Sequence, residues 1–362
     1  MTLATLTPHQ KEILDFINNF FVKKGYSPTL KEISIKFKKS VPTIHQYVKS
    51  LVKKEFLHKT EGSVRNIIPI SQDLAARNLI SRKFNIGVIG HGMVGQAVAY
   101  GFSNNNIFVY DKFKKSQKLK TVVDKSEYIF ICLPTPIKRD ESGIDLSIIN
   151  KIIKKICEYT DETDKIVIIK STVIPGTTSE FIKSYPKTLF CFNPEFTTER
   201  SFLQDFINTD RIIIGSENSL VFRRVSALYQ SIMPKTKIFQ TDPTTAEMVK
   251  YMANCLLSTK VIFANEMYDI CRSMGLKYEE VKEMVTADER ISSSHLDVTT
   301  LRGFGGKCFP KDLLALRAHA NSRGVDTKIL DAVWKKNINV RSVKDWEKTP
   351  FAVSDDSFGH KK

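Results

Sequence analysis

The stretch Gly303-Phe304-Gly305-Gly306-Lys307-Cys308-Phe309-Pro310-Lys311-Asp312 gathers the side chains best suited to covalent chemistry. A cysteine follows a glycine-rich turn, sits between two lysines and is followed four residues later by a carboxylate. Glycine lets a backbone adopt positive φ and approach a ligand closely. Neighbouring ammonium groups favour the thiolate, which is the nucleophilic form of cysteine. Asp312 could hold a water or a proton near that sulfur. The alternative is a buried structural cysteine in a tight loop.

A second stretch carries ligand chemistry of another kind. Phe84–Ile89 reads as a buried strand, and Gly90-His91-Gly92-Met93-Val94-Gly95 follows at once, then an apolar helix to about Phe102. This is G-x-G-x-x-G in a strand–turn–helix setting. The first glycine makes the turn, the second lets a pyrophosphate reach backbone N–H groups at the helix N-terminus, and the third lets the helix pack against the sheet. The next strand, Ile107–Tyr110, ends in Asp111, placed to accept hydrogen bonds from an adenosine ribose and to disfavour a 2′-phosphate. The expected cofactor is NAD. His91 reads as a filler position.

The elements that must position these residues alternate in the α/β manner. Only about ten residues separate Asp111 from the next element, fewer than a full crossover needs, so one helix–strand unit is expected to be trimmed. A strand at Tyr128–Leu133 leads into Pro134-Thr135-Pro136. A helix (about 145–159), a strand (165–170), a Ser171-Thr172 turn, a helix from about Gly176 and a strand at 188–192 follow. Asn193-Pro194-Glu195-Phe196 closes that last strand at its carboxyl end, where open α/β sheets bind ligands. Asp242-Pro243 then opens a long helix through about Met274. Met248, Met252, Leu256 and Phe263 line one apolar face, while Glu247, Lys250 and Asn254 lie off it. A solvated stripe is the plain reading of Lys250 and Asn254. A ligand role is the other, since lysine early in a helix opposes the helix dipole. A second helix spans about 278–286, and more helices run to about residue 340.

The first 83 residues hold +9 of the formal net charge of +16, an asymmetry suited to a polyanion-binding module. Residues 1–70 read as three short helices and a hairpin around Gly62. Thr7-Pro8 starts the first helix, Thr29 with Glu32 forms a capping box on the second, and the third begins near Pro42 with Ile44, Val48, Leu51 and Val52 inward. That is a winged helix-turn-helix, whose last helix would enter a DNA major groove. Residues 71–83 read as a linker. The six scattered cysteines contain no CxxC pair, which argues against zinc or a disulfide framework and for a reducing compartment. No apolar run reaches the ~18–20 residues of a membrane span, and no signal-peptide layout opens the chain. A cytoplasmic protein with no metal and no membrane contact is expected.

Residues 1–70 resemble the DNA-binding domain of the LexA repressor family, through Leu6-Thr7-Pro8-His9-Gln10, Ser27-Pro28-Thr29, Ser40 and Leu51-Val52-Lys53-Lys54. The resemblance implies DNA contacts from Ser40, Thr43, His45, Gln46 and Lys49, with a protein-contact or dimerisation role as the alternative. Residues 84–340 resemble the UDP-glucose/GDP-mannose dehydrogenase family. The matching stretches, in order, are Gly90–Gly95, Leu133–Pro136, Ser171–Thr177, Asn193–Phe196 with Glu199, Asp210-Arg211 before Gly215, Glu247–Lys250 with Asn254, Asn265-Glu266, Asp288–Ile291 and Gly303–Asp312.

That second resemblance implies a four-electron, NAD-dependent oxidation of a UDP- or GDP-sugar at C6, with UDP-glucose the expected substrate. It implies catalytic roles for Cys308, Lys250, Asn254, Asp312, Thr172 and Glu195. Cofactor contacts would come from Gly90, Gly92, Met93, Val94, Gly95, Asp111, Pro134, Thr135, Thr172 and Glu199. Substrate contacts would come from Glu195, Phe196, Lys250, Asn254, Arg290, Gly303, Phe304, Gly305, Gly306 and Lys311. Arg290 matches an arginine that reaches a neighbouring subunit's site, which implies a homodimer built on the long helix. The sequence departs from the family pattern in its winged helix, in Ser292 and Ser293 where glycine is common, and in a tail too short for the family's third, nucleotide-gripping domain.

The expected architecture is therefore multidomain: a winged helix-turn-helix (1–70), a linker (71–83), an α/β Rossmann-like NAD-binding domain (84–240), an all-α dimerisation and catalytic domain (241–340) and a tail (341–362). An alternative to the enzyme is a transcription regulator whose dehydrogenase part senses NAD or a nucleotide sugar.

Overall fold

The computed structural model describes residues 6–24, 27–54, 56–59, 67–69, 83–160 and 164–354. The chain forms two compact units, one made of residues 1–84 and 218–236, the other of 85–217 and 237–362.

In the first unit, α1 (Pro8–Lys24), α2 (Leu30–Phe37) and α3 (Val41–Lys53) precede β1 (Leu57–Lys59) and β2 (Ile67–Pro69), which pair antiparallel. Ile13, Ile17, Ile33, Ile44, Val48 and Leu51 are buried among these elements, as their helical spacing requires. The capping box on α2 is formed. Thr29 Oγ1 accepts from Glu32 N at 3.1 Å, and Glu32 Oε2 accepts from Thr29 N at 2.7 Å. The hairpin tip around Gly62 and residues 71–82 of the expected linker lie outside the described residues.

The second unit is built on a seven-stranded sheet. Its elements are β3 (Asn85–Ile89), α4 (Met93–Gly101), β4 (Asn106–Tyr110), α5 (Leu119–Lys125), β5 (Tyr128–Ile131), α6 (Ser147–Thr160), β6 (Ile166–Ile169), α7 (Thr177–Ser184), β7 (Leu189–Phe192), α8 (Phe202–Ile207) and β8 (Arg211–Gly215). After α9 (Ser219–Gln230), which belongs to the first unit, comes β9 (Lys237–Thr241). The strand order is β4-β3-β5-β6-β7-β8-β9, parallel throughout except for one antiparallel pair, Phe192 with Gly215. Strands β5 and β6 are buried along their whole length. Such continuous apolar runs belong to parallel strands covered on both faces. Among the described residues β4 is an edge strand, and α5 leads from it directly to β5 on the far side of β3. This is the trimmed crossover expected after Asp111.

Register is what gathers the motifs. Ile89 lies opposite Tyr110 and Ile131, Ile131 opposite Ile169, and Ile169 opposite Phe192. The residues just past these partners are Gly90, Asp111, Cys132, Lys170 and Asn193, so all five stand along one carboxyl edge of the sheet.

The helices α10 (Pro243–Ser273), α11 (Tyr278–Thr286), α12 (Phe309–Ser322), α13 (Lys328–Val340) and α14 (Asp345–Lys348) complete the unit. Asp242 caps α10, accepting from Thr245 N at 2.9 Å, with Pro243 at the first helical position. The face of α10 that turns inward carries polar residues among apolar ones such as Tyr251 and Ile262. Glu247, Lys250, Asn254, Ser258 and Asn265 are buried, whereas Met248, Met252, Leu256 and Phe263 are exposed, Met252 at 65% and Leu256 at 58%. The solvated-stripe reading of Lys250 and Asn254 is thereby corrected: they cross the interior because their polar atoms are paired there.

Candidate active site

A cleft of about 1010 Å³ runs along the carboxyl edge of the sheet. At one end it is bounded by Gly90, Gly92, Met93, Val94 and Asp111, and at the other by Thr172, Glu195, Lys250, Cys308 and Lys311, with Pro134 and Thr135 between. Sequence reasoning proposed all of these residues, and the fold brings them together.

The glycine loop has the geometry its spacing predicts. Gly90 sits at φ +92°, and its N–H donates to Tyr110 O at 2.8 Å. A Cβ on Gly95 would fall 2.0 Å from the Gly90 carbonyl oxygen, so this glycine allows helix and strand to close on each other. A Cβ on Gly92 would meet nothing within 4 Å, because it would project into the open cleft. That open approach to the N-terminus of α4 fits a pyrophosphate. Asp111 Oδ2 accepts from His91 N at 2.7 Å, and Oδ1 accepts from Phe113 N and Lys114 N at 2.8 and 3.1 Å. Partial burial works against the Asp111 carboxylate, but these backbone N–H groups and Lys114 outweigh it and hold its pKa below the ordinary value. At His91 it is the backbone N–H that ties the glycine loop to Asp111, which leaves its side chain the filler expected.

Cys308 stands at the N-terminus of α12. Of the six cysteines it alone is only half-buried, and none is in a disulfide. Burial of the sulfur and the Asp312 carboxylate push its thiol pKa up, against the pull of Lys250 and Lys311. The nearby lysines favour the thiolate as expected, but burial and Asp312 outweigh them. Lys307 contributes little; the second cation is Lys250, brought in by α10. Asp312, one turn after Cys308, is buried and fully engaged. Asn254 Nδ2 donates to its Oδ2 at 2.5 Å, and Lys311 Nζ pairs with its Oδ1. Lys250 Nζ donates to the Glu195 carbonyl oxygen at 2.5 Å, and the ammonium lies 5.5 Å from the centre of the Phe196 ring. The Glu195 carboxylate pairs with the buried Lys170 at 3.1 Å. Lys170 also donates to Asn193 Oδ1 at 2.9 Å.

Several proposed contacts sit elsewhere. Phe304 turns into the apolar core formed with Trp334 and Leu313, since its ring is better buried there than beside a polar ligand. Gly303 and Gly305 let neighbouring protein groups pack close to the loop. A Cβ on Gly303 would strike Asn337 Oδ1 at 2.4 Å, and one on Gly305 would strike Asp345 Oδ1 at 2.2 Å. Gly306, at φ +71°, turns the loop toward Glu199. Glu199 does not line the cleft; its Oε1 accepts from Lys307 N at 2.9 Å. Arg290 is exposed and forms a two-pronged pair with Asp288. In the first unit, Ser40 and Thr43 pair with each other at the start of α3, while His45, Gln46 and Lys49 lie on its exposed side.

Sequence reasoning missed three groups. Lys170 ends a wholly apolar strand with a charge at the ligand edge, a signal legible in Ile166–Lys170. The roles of the acceptors that mould the cysteine loop were missed too, although Asn265 belongs to one of the matching stretches. Asn265 Oδ1 takes Gly303 N at 3.2 Å, Asn337 Oδ1 takes Phe304 N at 2.8 Å and Asp345 Oδ2 takes Gly306 N at 3.1 Å. Asp345 is held in turn by Arg341. The third group is the segment after α14, which borders the cleft with Phe351 and Val353. Residues 341–354 are thus part of the unit rather than a bare tail; residues 355–362 lie outside the described ones.

Comparison with known proteins agrees with this geometry. Residues 107–233 match the NAD binding domain of the UDP-glucose/GDP-mannose dehydrogenase family, and residues 244–339 match its central domain. Residues 3–66 match the LexA DNA binding domain. A UDP-glucose 6-dehydrogenase of Rickettsia felis is 38% identical over 221 residues, covering 59% of this chain and 48% of that protein. One from Rickettsia conorii is 36% identical over 234 residues, covering 63% and 52%. A UDP-glucose dehydrogenase structure from Pyrobaculum islandicum superposes with a TM-score of 0.65 at 26% identity, covering 72% of this chain and 69% of that one. The chain spans about half the length of the relatives it matches. Among the described residues no helix is long and apolar enough to cross a membrane.

Proposed function

We propose, for a chain that through residues 107–233 and 244–339 belongs to the UDP-glucose/GDP-mannose dehydrogenase family, the NAD-dependent oxidation of a nucleotide-sugar C6 alcohol to a carboxylate. UDP-glucose is the substrate favoured by the relatives' names. The observation that carries this reading is one cleft that joins the Gly90–Asp111 end to Cys308 and Lys250.

Bound NAD supplies the hydride acceptor for each of the two oxidations. The N-terminus of α4 and Asp111 hold the pyrophosphate and ribose. Lys250 stabilises the alkoxide as the C6 alcohol loses its proton and hydride, with Asn254 beside it. The Cys308 sulfur then adds to the aldehyde carbon, giving a thiohemiacetal. Loss of a second hydride leaves a thioester on Cys308. Water adds to the thioester carbon, the C–S bond breaks, and thiol and carboxylate are released. Asp312 and Thr172 place that water, and Glu195 supports the same step. The raised thiol pKa makes proton removal from Cys308 part of the reaction, and Lys250 and Lys311 are the cations beside the sulfur that ease it.

The exposed Met248, Met252, Leu256 and Phe263 on α10 support a homodimer, because a contiguous apolar helix face is costly in water. Exposed Arg290 would serve the neighbouring subunit's cleft. The unit carrying α3 would bind DNA through Ser40, Thr43, His45, Gln46 and Lys49, with the lysine-rich surface meeting phosphates. Should that unit govern the protein, the dehydrogenase part would act as a sensor. The LexA-like match at residues 3–66 favours this second reading.

The test is NADH formation with a panel of UDP- and GDP-sugars, wild type against Cys308→Ser. About two NADH per sugar, lost or arrested in the variant, is the expected result. NAD binding without turnover on any sugar overturns the enzyme in favour of the sensor. Duplex-DNA binding that weakens steeply with salt, measured with and without NAD, then tests that reading.

A further inference from the structure

The segment from Asp345 to Ser354 is anchored at both ends. At its start, Trp346 is buried against Trp334, with ring centroids 5.5 Å apart, and Asp345 links Arg341 to the cysteine loop. Further on, Ala352 is 3% exposed. Ala352 O accepts from Ile137 N at 3.0 Å, and Ser354 N donates to Ile137 O at 2.7 Å, so residues 352–354 run as a short parallel bridge beside Ile137. Between these anchors Phe351 adopts φ +63°, a left-handed conformation that non-glycine residues avoid unless their surroundings impose it. That turn sets the Phe351 ring 5.6 Å from the ring of Phe113, and both residues border the cleft.

The position of the pair within the cleft identifies what it meets. Phe113 lies two residues past Asp111, whose carboxylate marks the ribose of the adenosine half. Cys308 and Lys250 mark the opposite, reacting end. Phe113 is 63% exposed, so the pair offers an aromatic face to the space beyond the ribose. Aromatic faces attract flat heterocycles by offset stacking. We infer that residues 349–354 form a wall of the cofactor cleft and that Phe351, with Phe113, is the platform for the adenine ring of the dinucleotide. The inference rests on the NAD reading above and assigns to that cofactor a contact from outside the nucleotide fold. It also links the cleft's two ends, because the segment that carries Phe351 begins at the residue that caps Gly306 N.

The test is equilibrium binding of NAD, ADP-ribose and nicotinamide mononucleotide to the full chain by calorimetry, for wild type, Phe351→Ala, Phe351→Tyr and Phe113→Ala. Phe351→Ala is expected to weaken NAD and ADP-ribose alike, by about tenfold, the usual worth of an aromatic stack. Nicotinamide mononucleotide should be unaffected, and Phe351→Tyr should restore binding. Phe113→Ala, at an exposed ring, should show the same loss and serves if Phe351→Ala fails to fold. Equal or tighter binding by both alanine variants overturns the inference, the tighter case meaning that the ring blocks the cleft. A wild type that binds neither NAD nor ADP-ribose overturns the cofactor reading itself, which separates the two failures.

Discussion

Asn254 on α10 donates its side-chain N–H to the Asp312 carboxylate on α12 at 2.5 Å, a bond between residues 58 positions apart that fixes the carboxylate behind Cys308. Asn254→Asp replaces the donor with a second buried carboxylate. Two carboxylates at that distance cannot both ionise, so one must hold a proton. Activity of the variant is expected to fall by on the order of a hundredfold at neutral pH. The deficit should deepen toward alkaline pH, as the shared proton that lets one acid donate to the other is lost. A rate–pH profile parallel to that of the wild type would sink the idea that this hydrogen bond positions the acid.

The Cys308 thiol gives a prediction with a definite sign. Burial and Asp312 hold its pKa above the ordinary thiol value despite Lys250 and Lys311. The reactive thiolate is therefore a small fraction at neutral pH and grows about tenfold per pH unit until the pKa is passed. Alkylation of Cys308 by iodoacetamide, followed by mass spectrometry, should be slow at pH 7 and still rising at pH 9. Asp312→Asn removes a nearby negative charge and should speed alkylation at pH 8. A plateau already reached by pH 8 in the wild type would contradict the geometry.

Two glycines of one motif should fail in different ways. Gly95→Ala drives a Cβ to 2.0 Å from the Gly90 carbonyl oxygen, a backbone atom that cannot step aside cheaply. A loss of about 1–3 kcal/mol of stability is expected, the usual cost of overpacking. Gly92→Ala meets nothing in the protein, so its melting temperature should be unchanged. Its methyl group would occupy the pyrophosphate's approach, and NAD affinity should drop at least about tenfold. Thermal melts paired with NAD titrations separate the two. Unchanged NAD binding by Gly92→Ala would remove the pyrophosphate from this loop.

Much of this arrangement was legible from residue types, and the exceptions share a cause. The strands announce themselves because runs such as Tyr128–Ile131 and Ile166–Ile169 are apolar throughout, and parallel register then brings Gly90, Asp111 and Asn193 to one edge. The face of α10 was not legible from its pattern. The spacing that groups Met248 with Met252 marks an exposed face, and Glu247 and Lys250 are buried along with Tyr251 and Cys255. Periodicity reports which residues share a face, not which face finds partners. The roles of Asn265, Asn337 and Asp345 depend on backbone N–H groups in the cysteine loop, which no spacing rule connects to them. Phe304 is taken up by the apolar core and Glu199 by the Lys307 backbone N–H, pairings that no motif announces.

The proposed dimer can be tested on the exposed face of α10. Met252→Glu and Leu256→Glu place charges on two residues that are more than half exposed, so neither should unfold the monomer. In a dimer built on this face, the paired charges would be desolvated and repel each other. Analytical ultracentrifugation should show the double variant as a monomer where the wild type sediments as a dimer. A wild type that is monomeric at micromolar concentration would remove the dimer and the role given to Arg290 together.

Glu247 supplies a stability test that does not depend on catalysis. It is fully buried on α10, and its carboxylate accepts from Gly176 N at 2.6 Å and from Thr178 N at 2.8 Å, pinning the loop that carries Thr172. Burial pushes its pKa up to about 7, even though those backbone N–H groups favour the charged form. The folded protein thus holds this proton more tightly than the unfolded chain does. The resulting stabilisation is complete below the unfolded value near 4.5 and is lost as pH rises through about 7. The full swing is on the order of 3 kcal/mol. Glu247→Gln cannot ionise, and its single carbonyl oxygen can replace only one of the two acceptors, so it carries a constant cost with no pH dependence. Denaturant titrations at pH 5 and pH 8 should therefore show the wild type losing more stability than Glu247→Gln over that interval. Equal losses would mean that Glu247 is ionised at both pH values, held charged by the two N–H groups it caps.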